Sequence, residues 1–132
     1  MQEGSNRKAE AEKPQDSLGF TNKAEAENEM VKGFKEGKWI EYTDDNGNTT
    51  TDPNAPIYIL TIYKKDKRVG ITRYYNKRGE LFGIIPYTDG IENGLEKVFY
   101  YKTGKIKSQT AYIYGKAGVT RHYDESGNEI KQ

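Results

Sequence analysis

Gly70-Ile71-Thr72-Arg73-Tyr74-Tyr75-Asn76-Lys77-Arg78-Gly79 is the stretch that decides the fold. Alternation of side chains along an extended run puts Ile71, Arg73 and Tyr75 on one face and Thr72, Tyr74 and Asn76 on the other. The run ends in a polar pair before Gly79, the chemistry of a short hairpin loop whose last residue takes positive φ. The same opening recurs at Gly94 and Gly118, each 24 residues after the last, and at Gly37, which stands 33 residues before Gly70. In all four units an aromatic ring follows five positions after the opening glycine: Tyr42, Tyr75, Phe99 and Tyr123.

A second glycine closes each run, at Gly47, Gly79, Gly104 and Gly127. Beyond it the chain turns back toward a tyrosine: Tyr87 and Tyr112, with Tyr63 as the first unit's equivalent. On these return strands period two groups Leu81, Gly83, Ile85 and Tyr87 on one face, and Ile106, Ser108, Thr110 and Tyr112 likewise. Polar links then lead to the next opening glycine. The expectation is an all-β chain: an elongated single antiparallel sheet of four consecutive β-hairpin repeats over residues 33–132.

Two segments depart from the period. Residues 48–56 are an insertion with Pro53 and Pro56, which interrupt a ladder, so a protruding loop is expected there. Residues 1–32 carry seven acidic and five basic residues and no Tyr, and read as a polar, largely disordered leader. Helix formers after Thr21 allow at most a short helix within it, with Thr21 as N-cap. The fourth unit ends at Gly127-Asn128-Glu129-Ile130-Lys131-Gln132 without its tyrosine, and its charge caps the exposed edge.

Composition narrows function. At 33% hydrophobic residues the 132-residue chain suits a thin architecture, to which 11 Tyr and 4 Phe contribute broad rings. With 21 basic and 20 acidic residues the net charge is +1, no reason to expect nucleic acid, and no support for association with an anionic membrane. No Cys is present, which removes thiolate zinc sites and thiol nucleophiles. No apolar run reaches bilayer-spanning length, so the chain reads as soluble, either cytoplasmic or exported with its signal peptide absent.

Residues that could carry chemistry are sparse. His122 is the only histidine, which leaves little material for zinc or a Ser-His-Asp arrangement. Asp44, Asp45, Asn46, Asn48 and Asp52 cluster oxygens around Gly47 but miss the calcium-loop spacing. Glu125-Ser126-Gly127 lacks a nucleophile elbow, and the Gly-Lys pairs at Gly104 and Gly115 lack phosphate-loop spacing. No catalytic residue, metal or cofactor is expected. Lys64, Lys65, Lys67 and Arg68 with Arg73, Lys77 and Arg78 form a locally basic unit that suits an acidic partner or phosphate groups, or simply keeps an edge solvated. Among the many rings, half are expected to form the core. Trp39, Tyr74, Tyr100 and Tyr114 are the candidate partner-binding residues, because tyrosine offers contact area at low entropic cost.

Gly37-Lys38-Trp39-Ile40-Glu41-Tyr42, the Gly70 run, Gly94-Leu95-Glu96-Lys97-Val98-Phe99-Tyr100 and Gly118-Val119-Thr120-Arg121-His122-Tyr123 together resemble the MORN-type repeat. The resemblance is to the variant of that repeat found in bacterial proteins of the YwqK-like antitoxin type. The resemblance covers residues 37–130 and implies a non-catalytic protein-interaction or scaffold module, antitoxin-like, with a protein partner and no shared catalytic residues. A different class of function, carbohydrate or cell-envelope binding by an exported protein through exposed Tyr and Trp, is the alternative. Neither reading sets an oligomeric state.

Overall fold

A computed structural model describes residues 19–131. The leader expected to be disordered over residues 1–17 lies outside the described residues. Among the described residues eleven strands form one antiparallel sheet: β1 (Glu29–Val31), β2 (Phe34–Thr43), β3 (Thr49–Thr50), β4 (Ile57–Lys64), β5 (Lys67–Asn76), β6 (Leu81–Thr88), β7 (Ile91–Glu92), β8 (Gly94–Phe99), β9 (Ile106–Ile113), β10 (Lys116–Tyr123) and β11 (Glu129–Ile130). Their order is β1-β2-β4-β5-β6-β8-β9-β10-β11, with β3 on β2 and β7 on β6, and the sheet does not close. Among the described residues no helix is long and apolar enough to cross a membrane.

The repeat is written into the ladder. Each of the first three opening glycines stands directly across from the tyrosine that ends its unit: Gly37 from Tyr63, Gly70 from Tyr87 and Gly94 from Tyr112. At Gly94 the need for glycine is steric, since φ is +128° and a Cβ would stand 2.8 Å from Cγ of Pro86. The four turn glycines all take positive φ, between +76° and +94°. Three turns share one geometry. Asp44, Asn76 and Asp124 each accept at Oδ1 from the backbone N–H two and four residues on, at 2.9–3.0 Å. Tyr100 holds that position in the third unit and has no such acceptor; its turn is one residue longer, with Gly104 N–H donating to Tyr100 O at 2.7 Å.

The face assignment from period two needs one correction. Tyr74 pairs with Gly83 but Tyr75 with Leu81, and Val98 pairs with Ser108 but Phe99 with Ile106, so a register shift interrupts both hairpins. These are β-bulges, each placing one extra residue, Phe82 or Lys107, into the return strand. Leu81 and Ile106 are thereby turned away from the face of the residues that follow them, and Leu81 joins the core.

The main apolar cluster lies on one face, although Ile59, Thr61, Tyr63 and Thr72 of the other face are buried as well. Tyr58, Leu60 and Tyr75 surround Phe20, with Ile40, Tyr42, Ile62 and Leu81 packed against them. Tyr58 and Tyr75 stack with centroids 4.9 Å apart. Phe20 is 1% exposed although it belongs to the polar leader. It is held there by main-chain bonds: Glu27 and Asn28 N–H donate to Lys38 O, and Asn28 exchanges side-chain hydrogen bonds with both backbone groups of Ile40. Arg73, 2% exposed, lies under this segment and donates from Nη1 to Phe20 O at 3.3 Å. Residues 19–32 are thus packed on the repeat sheet, and the boundary expected at residue 33 falls inside the β1–β2 hairpin. The short helix expected after Thr21 is a 3-10 turn over Lys23–Glu25 capped by Asn22.

The insertion is also more ordered than a protruding loop. Thr49 and Thr50 pair with Thr43 and Tyr42 on β2, Ala55 is buried, and the chain then enters β4 between β2 and β5. At the far edge β11 pairs only with His122 and Tyr123 of β10. We call the face covered by residues 19–28 the inner face, and the other the open face.

Candidate interaction site on the open face

Cross-strand registers lay the open face out in rows. One row runs Thr61, Thr72, Ile85, Glu96, Thr110 and Thr120. Thr72, Glu96 and Thr120 occupy the same place in successive units. Threonine hydroxyls meet at both ends of the row, Thr61 with Thr72 and Thr110 with Thr120, each pair at 2.7 Å. Between them stand Ile85 and Glu96. Burial, helped by nearby Glu92, pushes the Glu96 carboxyl above its ordinary range.

The neighbouring row runs Ile59, Tyr74, Gly83, Val98, Ser108 and His122. Side-chain volume drops to nothing at Gly83, between a tyrosine and a valine. Its φ does not require glycine, and a Cβ there would meet Lys97 O at 3.6 Å and Tyr74 Cβ at 3.7 Å, which is ordinary contact. The consequence is a depression of about 300 Å³ lined by Tyr74, Phe82, Gly83, Ile85, Glu96 and Val98. Through Phe82 and Val98 it adjoins a larger cavity of about 570 Å³ reaching Ile57, Lys77, Arg78, Tyr101 and Lys107. The bulge at Phe82 makes this junction, since it brings that ring to Tyr74, with centroids 6.2 Å apart. The trough is apolar along its floor, and along one rim three cations, Lys77, Arg78 and Lys107, stand with one carboxylate, Asp45.

A polar cluster on the same sheet has a different character. Glu41 accepts from Tyr63 Oη at 2.7 Å and Lys35 Nζ at 3.1 Å, and pairs with Arg68 Nη2 at 2.8 Å. Burial by itself would raise the Glu41 carboxyl; the bonds from Tyr63 and Lys35 and the charge of Arg68 outweigh it and hold the group below its ordinary value. Arg68 also lies over the rings of Tyr63 and Tyr87. With its acid and bases all mutually engaged, this cluster ties β2, β4 and β5 together rather than presenting a reactive group.

The four residues singled out from sequence do not share one surface. Trp39 is closed off: its ring packs edge-on against Tyr63, Lys35 Nζ lies 4.8 Å from its centroid, and Nε1 donates to Glu29 O and Glu36 O. Tyr74 lies in the trough. Tyr100 sits in the β8–β9 turn, half-buried, its hydroxyl donating to Tyr123 O at 2.8 Å. Tyr114 is 68% exposed but in the β9–β10 turn, at the other end of β9. The residues that complete the trough, Phe82, Gly83, Val98, Tyr101 and Lys107, are ones sequence reasoning left out. A glycine inside a strand was the available signal, since it marks a close approach or a missing side chain.

The basic unit is divided as well. Lys64–Arg68 lies at one end of β5, Lys77 and Arg78 at the other, and Arg73 is buried on the inner face between them. The oxygen cluster near Gly47 is a turn in which Asp44 is taken up by backbone N–H groups. His122 pairs with Ser108 and Ile130. Among the described residues no three His, Cys, Asp or Glu gather as metal ligands. No family model, curated protein or solved structure matches the chain.

Proposed function

We propose that the chain is a non-catalytic protein-interaction module of the bacterial MORN-repeat type, antitoxin-like in that a partner protein is bound on the open face. The trough between Tyr74 and Val98 carries the reading: one face of the sheet is covered by the chain's own residues 19–28, whereas the other keeps an apolar depression at its centre. Such depressions with a few polar groups at the rim suit an inserted anchor side chain. The four units in phase support the repeat class, and the mutual engagement of Glu41, Lys35, Tyr63 and Arg68 supports a structural use of the sheet's main ionisable cluster.

Glycan or envelope binding through exposed rings has less support. Tyr101 and Tyr114 are the exposed tyrosines, 44% and 68%, and they stand at opposite ends of β9, while Trp39 is engaged by Tyr63 and Lys35. Panning a random-peptide library against the folded chain, beside a glycan array, separates the two. The proposal expects enriched peptides that a Gly83→Val variant no longer binds. An array of glycan hits with no enriched peptide would reverse it.

A further inference from the structure

Building on the protein-interaction reading, we propose that the trough takes an acidic segment of the partner, with a large apolar side chain seated over Gly83 and carboxylates against Lys77 and Lys107.

The slot is defined by three observations. Gly83 opens a gap in the row between Tyr74 and Val98, and the Phe82 ring forms a wall beside it. Because a Cβ fits at Gly83 and its φ is ordinary, the missing side chain is not a demand of the backbone; its structural result is the gap itself. The floor is apolar, so the entering group is apolar, and a space of about 300 Å³ accommodates one large side chain rather than a folded element.

Charge around the slot is polarised. Lys77, Arg78 and Lys107 border the adjoining cavity, against one carboxylate in its lining, Asp45, so the cations outnumber the acid there. Arg78 is engaged with Glu80 at 2.9 Å and lies over the Tyr101 ring, whereas Lys77 and Lys107 form no salt bridge among the described residues. Lys107 Nζ lies 5.7 Å from the Tyr100 centroid. The bulge at Lys107 is what inserts this cation into β9. At the opposite end of the slot stands the half-buried Glu96. An occupant therefore gains by placing its carboxylates at the turn end and none at the Glu96 end, which fixes its direction as well as its charge.

The test uses the full chain and three labelled peptides, each with a central tryptophan flanked by glutamates, by lysines or by serines, read by fluorescence anisotropy and by backbone amide shifts. The glutamate peptide is expected to bind best, to shift the amides of Gly83, Val98 and Lys107, and to weaken about tenfold or more when salt shortens the screening length. Lys77→Glu with Lys107→Glu, both exposed positions, is expected to invert the preference toward the lysine peptide without changing Tm. Equal binding of all three peptides, or shifts centred on Leu95 and Val119, would overturn the inference. If library-selected peptides of other composition still map to the trough, the interaction-module reading stands and only the acidic occupant falls. If no peptide of any composition maps there, both fall.

Discussion

Replacing Phe20 by alanine tests whether a segment outside the repeats completes the core. The side chain is 1% exposed and packs among Tyr58, Leu60 and Tyr75. Transfer of a buried aromatic side chain contributes about 1.5–3 kcal/mol, and deletions of buried Phe in ordinary cores cost about 3–5 kcal/mol when the cavity is added. Here the covering layer is a single segment that can partly settle into the gap, so the lower end, about 3 kcal/mol, is expected. A second effect acts in the same direction. Arg73 donates to Phe20 O, and a loosened segment leaves that buried guanidinium with a weaker partner. Urea unfolding followed by tyrosine fluorescence measures the loss as a lower midpoint at unchanged slope. A loss below about 1 kcal/mol would mean that the inner face does not depend on residues 19–28, and would refute the reasoning.

The buried Thr61–Thr72 hydroxyl pair gives a second test: Thr61→Val alone leaves Thr72 without its partner and costs about 1–3 kcal/mol, whereas Thr61→Val with Thr72→Val recovers most of that, as a double-mutant cycle in urea would show. Glu41 is held below its ordinary range in the folded state, so its contribution is present above the unfolded carboxylate value near ~4.3 and is lost as pH falls through the lower folded value. A Glu41→Gln variant should accordingly be less stable at neutral pH and show less acid dependence, with equal acid dependence in both proteins counting against the cluster. Glu96 is shifted the other way, so the folded state loses stability as its carboxyl ionises. Glu96→Gln should raise the unfolding midpoint at pH 7, with the gain disappearing in acid, and a destabilised variant at pH 7 would contradict the placement.

Much of the architecture was legible because the repeat acts twice, in the chain and across the ladder. Opening glycines spaced by 24 residues and returning tyrosines are the partners that face each other, Gly70 with Tyr87 and Gly94 with Tyr112. The β-bulges were not legible, since nothing in the residue types of Phe82 or Lys107 marks them as extra, and each reverses the faces on one side of it. Phe20 was missed for another reason: its partners lie 38 to 55 residues away, and a lone aromatic in a charged segment carries no period. The basic unit looked continuous because its members are near in sequence. β5 runs ten residues from Lys67 to Asn76, roughly 30 Å of strand, and alternation then buries Arg73. Tyr74 keeps its ring on the open face, at the depression, while the Trp39 ring is engaged by Tyr63 and Lys35, contacts that only the register creates.

Gly83 is where the account is most exposed to measurement. Alanine and valine variants there should be read together for thermal unfolding and for binding of library-selected peptides. Since a Cβ fits and strand glycines carry excess backbone entropy when unfolded, Gly83→Ala is expected to stabilise by about 0.4–1 kcal/mol. Gly83→Val fills the depression between Tyr74 and Val98 and should abolish binding while the sheet stays folded. Full binding by a folded Gly83→Val protein would contradict the claim that this trough is the recognition site.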